Sequence, residues 1–341
     1  MRLQFQFLET VNGLDNSNSQ IITRIRGQLD KATTAPGMVM ISLSAVALGA
    51  AFGGYLPLIS LWMETFNISF QRIGIVCGAS AVGVVSSAYF APKLAARYGY
   101  ILTINVGLVV AAIMTVAFRF TDNYSLWLAL RFVSGLGLGL HWVLTEAWLA
   151  NIVTEKYRTR VMAIYATAIS IGFAIGPMVI WLFGALSIIP FIIMGALLIL
   201  AALPILRLKG HEPKDSQTRS ASPLILIKKA PTVASACIVV GSVDLALISL
   251  LPAMITRTPE AAPILALVIV PAMAIGATIL QYPIAIIADK HGLRKVGVIT
   301  VCAGLIFASL IPFFLGSVLL TLLFGFLLSL IHISEPTRRY F

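Results

Sequence analysis

Nine apolar runs dominate this chain, each close to the ~20 residues that an α-helix needs to cross a bilayer. They cover roughly 38–63, 73–91, 101–120, 125–150, 161–183, 190–207, 231–255, 264–288 and 296–315, and a tenth begins at Val318. Of the 341 residues, 59% are apolar and 11% are charged, against about 25% charged in an average soluble domain. No water-soluble fold hides that much apolar surface, so lipid is the solvent. In hydrocarbon every backbone N–H and C=O must be paired within its own segment. The runs are therefore predicted to be helices, and the fold class is an all-α membrane protein.

Most connections are short, which makes successive spans antiparallel neighbours. The exception is 208–230, which is charged, contains Ser and Pro, and follows six spans. The expected organisation is an N-terminal arm (1–36), a six-helix bundle (37–207), a central loop (208–230) and an incomplete second bundle (231–341). An internal repeat supports the division. The segment QYPIAIIADKHGLRK at 281–295 has a degraded copy 193 positions earlier, with Tyr89 mapping onto Tyr282, Arg97 onto Lys290 and Gly99 onto Gly292. Pro57 is echoed by Pro252 at a similar offset. A basic turn between spans, present once in each half, points to a duplicated transporter architecture.

The net charge of +11 would suit nucleic acid, but its placement does not. Of 24 Lys and Arg, 18 fall in the arm, 92–100, 151–160, 207–229 and 289–295, whereas only Arg72, Arg119 and Arg257 fall in the alternate loops. That asymmetry follows the positive-inside rule and predicts a cytoplasmic N-terminus. Cys77, Cys237 and Cys302 stand alone in apolar runs and are expected to be small buried residues. No metal or cofactor is expected. The polar first 36 residues hold no cleavable signal and read as a cytosolic arm or, with Met38 and Met40 following, as a gene-start artefact. At the other end, LSLIHISEPTR from Leu328 resembles a translated sequencing adapter. Residues 328–341 are expected to be non-native, helix 10 to be cut short, and the chain as written not to transport.

Ionisable side chains away from the span ends are few: Arg131, His141 and Glu146 in helix 4, and Asp244 in helix 7. At 100° per residue, Arg131 and Glu146 lie about 60° apart around the helix, and His141 about 80° to the other side. A buried arginine must face protein or water, unless it snorkels to the surface from its place near the helix start. Gly135 and Gly139 lie one turn apart and allow close helix contact. Gly172 and Gly176 flatten one face of helix 5, and Pro177 kinks it. Gly292 is expected to close its turn at positive φ. Asp244 stands near the middle of helix 7, where an apolar setting lets a carboxyl group take up and release a proton.

Three of these motifs together resemble the major facilitator superfamily. They are the basic turn A-D-K-x-G-x-R-K at 288–295, R-x-x-x-G-x-G from Arg131, and G-x-x-x-G-P from Gly172. The stretch RFVSGLGLGLHWVLTEAWL, with Trp142, Val143 and Glu146, further resembles a branch of small bacterial YcaD-type facilitators. The G-x-x-x-G-P element resembles the antiporter signature of the drug-efflux branch, although Met178 and the residues after it are larger than that branch uses. The resemblance implies two pseudo-symmetric six-helix bundles, with helices 1, 4, 7 and 10 lining a central cavity.

It also implies a monomeric secondary transporter of the bacterial inner membrane that moves a small organic solute, with proton antiport and efflux expected. Arg131 would set the cavity potential and bias nearby acids. Asp244 would carry the proton, with Glu146 as the alternative; Glu146 could instead hold the helix 4–5 turn through Arg158 or Arg160. His141 is a cavity candidate that also reads as a packed core histidine. Asp289, Lys290, Gly292, Arg294 and Lys295 would form a cytosolic gate, the first-half copy being weaker because Ala96 replaces the family's Asp. Symport or uniport is the alternative within the class, and a non-transporting receptor or scaffold the alternative outside it. No nucleophile–base pair, metal spacing or phosphate-binding loop supports an enzyme or an ATP-driven pump.

Overall fold

A computed structural model describes residues 36–153, 155–210, 212–213 and 231–330. The expectations for the arm, for most of the central loop and for the tail from 331 therefore lie outside the described residues, as do the side chains of Arg158, Arg160, Cys237, Asp289, Lys290 and Arg294.

Among the described residues ten α-helices follow one another: α1 (Pro36–Glu64), α2 (Phe70–Tyr98), α3 (Tyr100–Ala117), α4 (Tyr124–Ile152), α5 (Glu155–Phe183), α6 (Ile189–Leu206), α7 (Pro231–Arg257), α8 (Leu265–His291), α9 (Leu293–Leu310) and α10 (Val318–Leu328). Each coincides with an apolar run, extended by up to two turns where polar residues continue the helix beyond the hydrocarbon. Eight are long and apolar enough to cross a membrane, with shorter apolar stretches at Leu265–Leu280 and Val318–Leu328.

The repeat extends to the backbone. Each basic turn is a single glycine, Gly99 between α2 and α3 (φ 84°) and Gly292 between α8 and α9 (φ 91°). Positive φ strains any residue with a Cβ, so glycine is required where two long helices reverse in one residue. Short 3₁₀ turns end α3 at Phe118–Phe120 and α9 at Ile311–Phe314, again 193 positions apart. The ends of the helices that carry the glycine turns are here termed the basic end, and the opposite ends the far end.

Within α1–α6 the closest packing pairs α1 with α5 and α2 with α4. Small residues make this possible. A Cβ on Gly135 would overlap the Ser80 carbonyl of α2, and one on Gly172 would overlap the Val46 carbonyl of α1. Gly139 and Gly176 repeat these contacts one turn on, and Pro177 is buried beside Gly176. Between lipid-solvated helices such backbone approach replaces the hydrophobic effect as the source of attraction. Helices α7–α10 form a second group, joined to the first through α5–α8, α1–α7 and α2–α7 contacts.

The side chains that join the two groups cluster in the far half. Leu56 of α1 enters a core with Ile248, Leu251 and Ile255 of α7 and Leu265 and Ile269 of α8, and Phe52 and Phe173 pack against it. Toward the basic end, Ile238 and Val239 of α7 and Ile279 and Ile287 of α8 are exposed. Cys77 is buried as expected, whereas Cys302 is exposed. It sits on a peripheral helix whose outer face meets lipid rather than protein.

Gly135→Leu is expected to force α2 and α4 apart and cost about 1–3 kcal/mol, as overpacking does in tight interiors. Thermal unfolding in detergent should show a lowered midpoint, while Gly78→Ala, at a glycine with open space around it, should leave the midpoint unchanged.

Candidate functional site

Arg131 is wholly buried and does not snorkel to the surface. It lies on α4 between α1 and α2, with its guanidinium carbon 5.0 Å from the centre of the Tyr55 ring. Its Nη2 donates a long bond of 3.5 Å to the Cys77 carbonyl of α2. Nε and Nη1 find no acceptor among the described residues, and no carboxylate there is within ion-pair reach. The Tyr55 hydroxyl faces Arg131 and Thr115 without a well-formed hydrogen bond. Ser249 of α7 approaches the Cys77 thiol from the other group of helices. Residues of α1 and α2 thus meet the guanidinium of α4, and α7 packs behind α2.

Glu146 lies on the same stripe of α4 but fifteen residues on, about 22 Å along the axis at 1.5 Å per residue. Arg131 therefore makes no direct contact with it. The carboxylate of Glu146 accepts a 2.7 Å bond from the indole Nε1 of Trp142, one turn earlier. The Trp142 ring meets Phe52 edge-on at 6.2 Å, and Phe52 meets Phe173 of α5 at 5.4 Å. All four side chains are half-buried. They form an aromatic wall with one acid, and Phe52 and Phe173 also pack against the core that α7 and α8 share with α1. Asp244 is half-buried on α7.

His141 belongs elsewhere. Its Nε2 is 2.8 Å from Ser44 Oγ, and that hydroxyl donates at 2.7 Å to the Ala201 carbonyl of α6. The hydroxyl proton is thus committed, so Nε2–H is the donor to Ser44. The ring is fully buried and ties α4 to α1 and α6 inside the first bundle, away from the Arg131 cluster. At the basic end, Gly292 has the positive φ its turn requires and Lys295 is exposed. The matching first-half turn acquires an acid from the central loop: Glu212 Oε2 accepts a 2.9 Å bond from the Tyr100 amide at the start of α3. Where Ala96 supplies no carboxylate, a helix N-terminus has still recruited one.

The sequence pattern of the Major Facilitator Superfamily matches residues 41–336. The chain belongs to that superfamily. It is 26% identical over 273 residues to the MFS-type transporter YfkF of Bacillus subtilis, covering 78% of this chain and 68% of the relative. To the MFS-type transporter YcaD of Salmonella enteritidis it is 24% identical over 261 residues, 75% of this chain and 65% of the relative. The chain thus spans about two thirds of the length of these relatives. Among solved structures it resembles the nucleoside transporter NupG (TM-score 0.72, 16% identity, 88% of this chain and 80% of that one). It also resembles a bacterial homologue of the lysosomal transporter Spinster in an inward-facing, occupied conformation (TM-score 0.67, 19% identity, 87% and 72%). This superfamily member is not an enzyme.

A buried, uncompensated guanidinium is a burden on the folded state. Arg131→Met, similar in length and free of charge, is expected to keep or raise the thermal unfolding midpoint. Ser44→Ala strips the acceptor from the buried His141 Nε2–H and should cost about 1–3 kcal/mol, read in the same melt.

Proposed function

We propose that this superfamily member is a secondary active transporter of the bacterial inner membrane that moves a small organic solute by alternating access. The observation that carries the reading is where the charges lie. The ionisable side chains away from the span ends are confined to α4 of the first bundle and α7 of the second. Intramembrane ionisable groups are costly and persist where they serve transport or coupling.

The aromatic wall of Phe52, Trp142 and Phe173 offers the apolar surface that a small organic solute needs, and Glu146 offers a polar anchor. Asp244 carries the proton on the opposing bundle, with Glu146 as the second carrier. Export in exchange for protons is the direction proposed, on the strength of the Gly172–Gly176–Pro177 element. The chain works as a monomer. The basic end faces the cytoplasm, supported by the clustering of Lys and Arg there. In that orientation the far-half packing closes the periplasmic side, and the site is reached from the cytoplasm. Asp289, Lys290, Gly292, Arg294 and Lys295 then form the gate that must close when the bundles rock.

Proteoliposomes holding the complete gene product should accumulate a member of a solute panel when a proton gradient is imposed, and a protonophore should abolish that accumulation. Asp244→Asn is expected to reduce gradient-driven movement to the passive leak while solute exchange without a gradient persists. Gradient-driven movement that survives Asp244→Asn would remove Asp244 from the coupling role. Failure of every solute to move would favour the receptor reading.

A further inference from the structure

At the far end one ion pair crosses between the bundles. Arg257, the last residue of α7, donates through Nε to Glu64, the last residue of α1. The same guanidinium donates from Nη2 to the Ile68 carbonyl at 2.7 Å and lies 4.1 Å from the centre of the Phe70 ring. One side chain of the second bundle thus holds the end of α1, the following turn and the start of α2.

Its two members are 193 positions apart, the offset of the internal repeat. Glu64 and Arg257 are therefore equivalent positions in the two halves. Repeats of this kind are related by a pseudo-two-fold axis along the membrane normal. Equivalent residues close to a two-fold axis necessarily face each other. If both halves had kept the same charge there, the far end would repel itself. With opposite charges, the axis position becomes a bond.

We propose that Glu64 and Arg257 form a latch on the pseudo-two-fold axis that holds the far end shut and must break each time the bundles rock. The proposal rests on the alternating-access reading above and adds the residues that set its conformational balance. The strength of the pair suits the task. The Arg257 and Glu64 side chains are 35% and 19% exposed, so water weakens their attraction, and a gate contact has to be breakable. The Leu56 core beneath supplies the apolar part of the closure, but its contacts carry no sign. The ion pair makes the closed state depend on the identity of both partners.

The test measures a distance. Spin labels are placed through Asn67→Cys in the α1–α2 turn and Glu260→Cys beyond α7, both exposed positions, with Cys77, Cys237 and Cys302 replaced by alanine in the full chain. Pulsed electron–electron resonance in nanodiscs should give a dominant short distance. Glu64→Arg, and separately Arg257→Glu, are expected to lower the ratio of short to long distances about threefold or more, the scale of a partly exposed ion pair. Combining the two exchanges the charges and should restore the ratio. If a reversal fails to give a monodisperse protein, Glu64→Gln serves in its place, with the same loss of short distances expected. Unchanged distances in the single variants, or a double variant as open as either single one, would overturn the latch. Because the readout is a distance and not solute movement, failure here leaves the proton role of Asp244 untouched, and failure of transport leaves the latch intact.

Discussion

Close backbone contact between helices is what the rest of this molecule depends on. In lipid the apolar face of a helix gains little by leaving its solvent, since lipid tails are as apolar as leucine. Attraction then has to come from van der Waals contact at short range, and contact at short range needs residues without bulk. The glycines of α4 seat it on α2, and those of α5 seat it on α1. These two seams fix the first bundle. They also fix which faces of α1, α4 and α5 remain for the second bundle, and hence where Arg131, Glu146 and the aromatic wall point.

Polar groups in such a scaffold divide into those that are satisfied and those that are not. His141 is locked by Ser44 and Ala201, Thr145 bonds to the His141 carbonyl and to Tyr165, and Trp142 bonds to Glu146. These contacts are structural in effect, whatever else they serve. Arg131 is different. Its charge is fully buried, its ion-pair partners are absent among the described residues, and two of its donor nitrogens lack acceptors. Stability alone gives no reason for such an arrangement, because a hydrophobic residue of like size would do as well. It stands where α1 and α2 pack against α4.

The helices were legible in the sequence because a twenty-residue apolar run has one outcome in a bilayer. Gly99 and Gly292 were legible as turns because a reversal between long helices leaves a single residue with no room for a Cβ. The burial of Arg131 was not. Seven residues into a helix, an arginine can reach water or turn inward with equal ease, and Tyr55, which decides the matter, lies 76 positions away in the chain. The separation of Arg131 from Glu146 was partly legible. Angle around a helix axis places both on one stripe, but distance along the axis keeps them apart, and the stripe alone hides that. The Glu64–Arg257 pair went unread because each residue alone is an ordinary charge at a span end. Applying the repeat offset to the charges, and not only to the turns, exposes it.

A duplicated chain starts with identical charges at equivalent positions, and near a two-fold axis identity means repulsion. Glycines, prolines and apolar residues can remain symmetric there, since their contacts have no sign. Charged residues cannot. The conserved backbone symmetry of the Gly99 and Gly292 turns, set beside the opposed charges of Glu64 and Arg257, follows from that distinction. The same logic bears on the basic end. Asp289 is present in the second-half turn, and its first-half equivalent is Ala96. There the symmetry is broken by removing a charge rather than reversing it. Glu212 reaches in from the central loop to the Tyr100 amide of the first-half turn. Each end of the molecule thus has its own asymmetry.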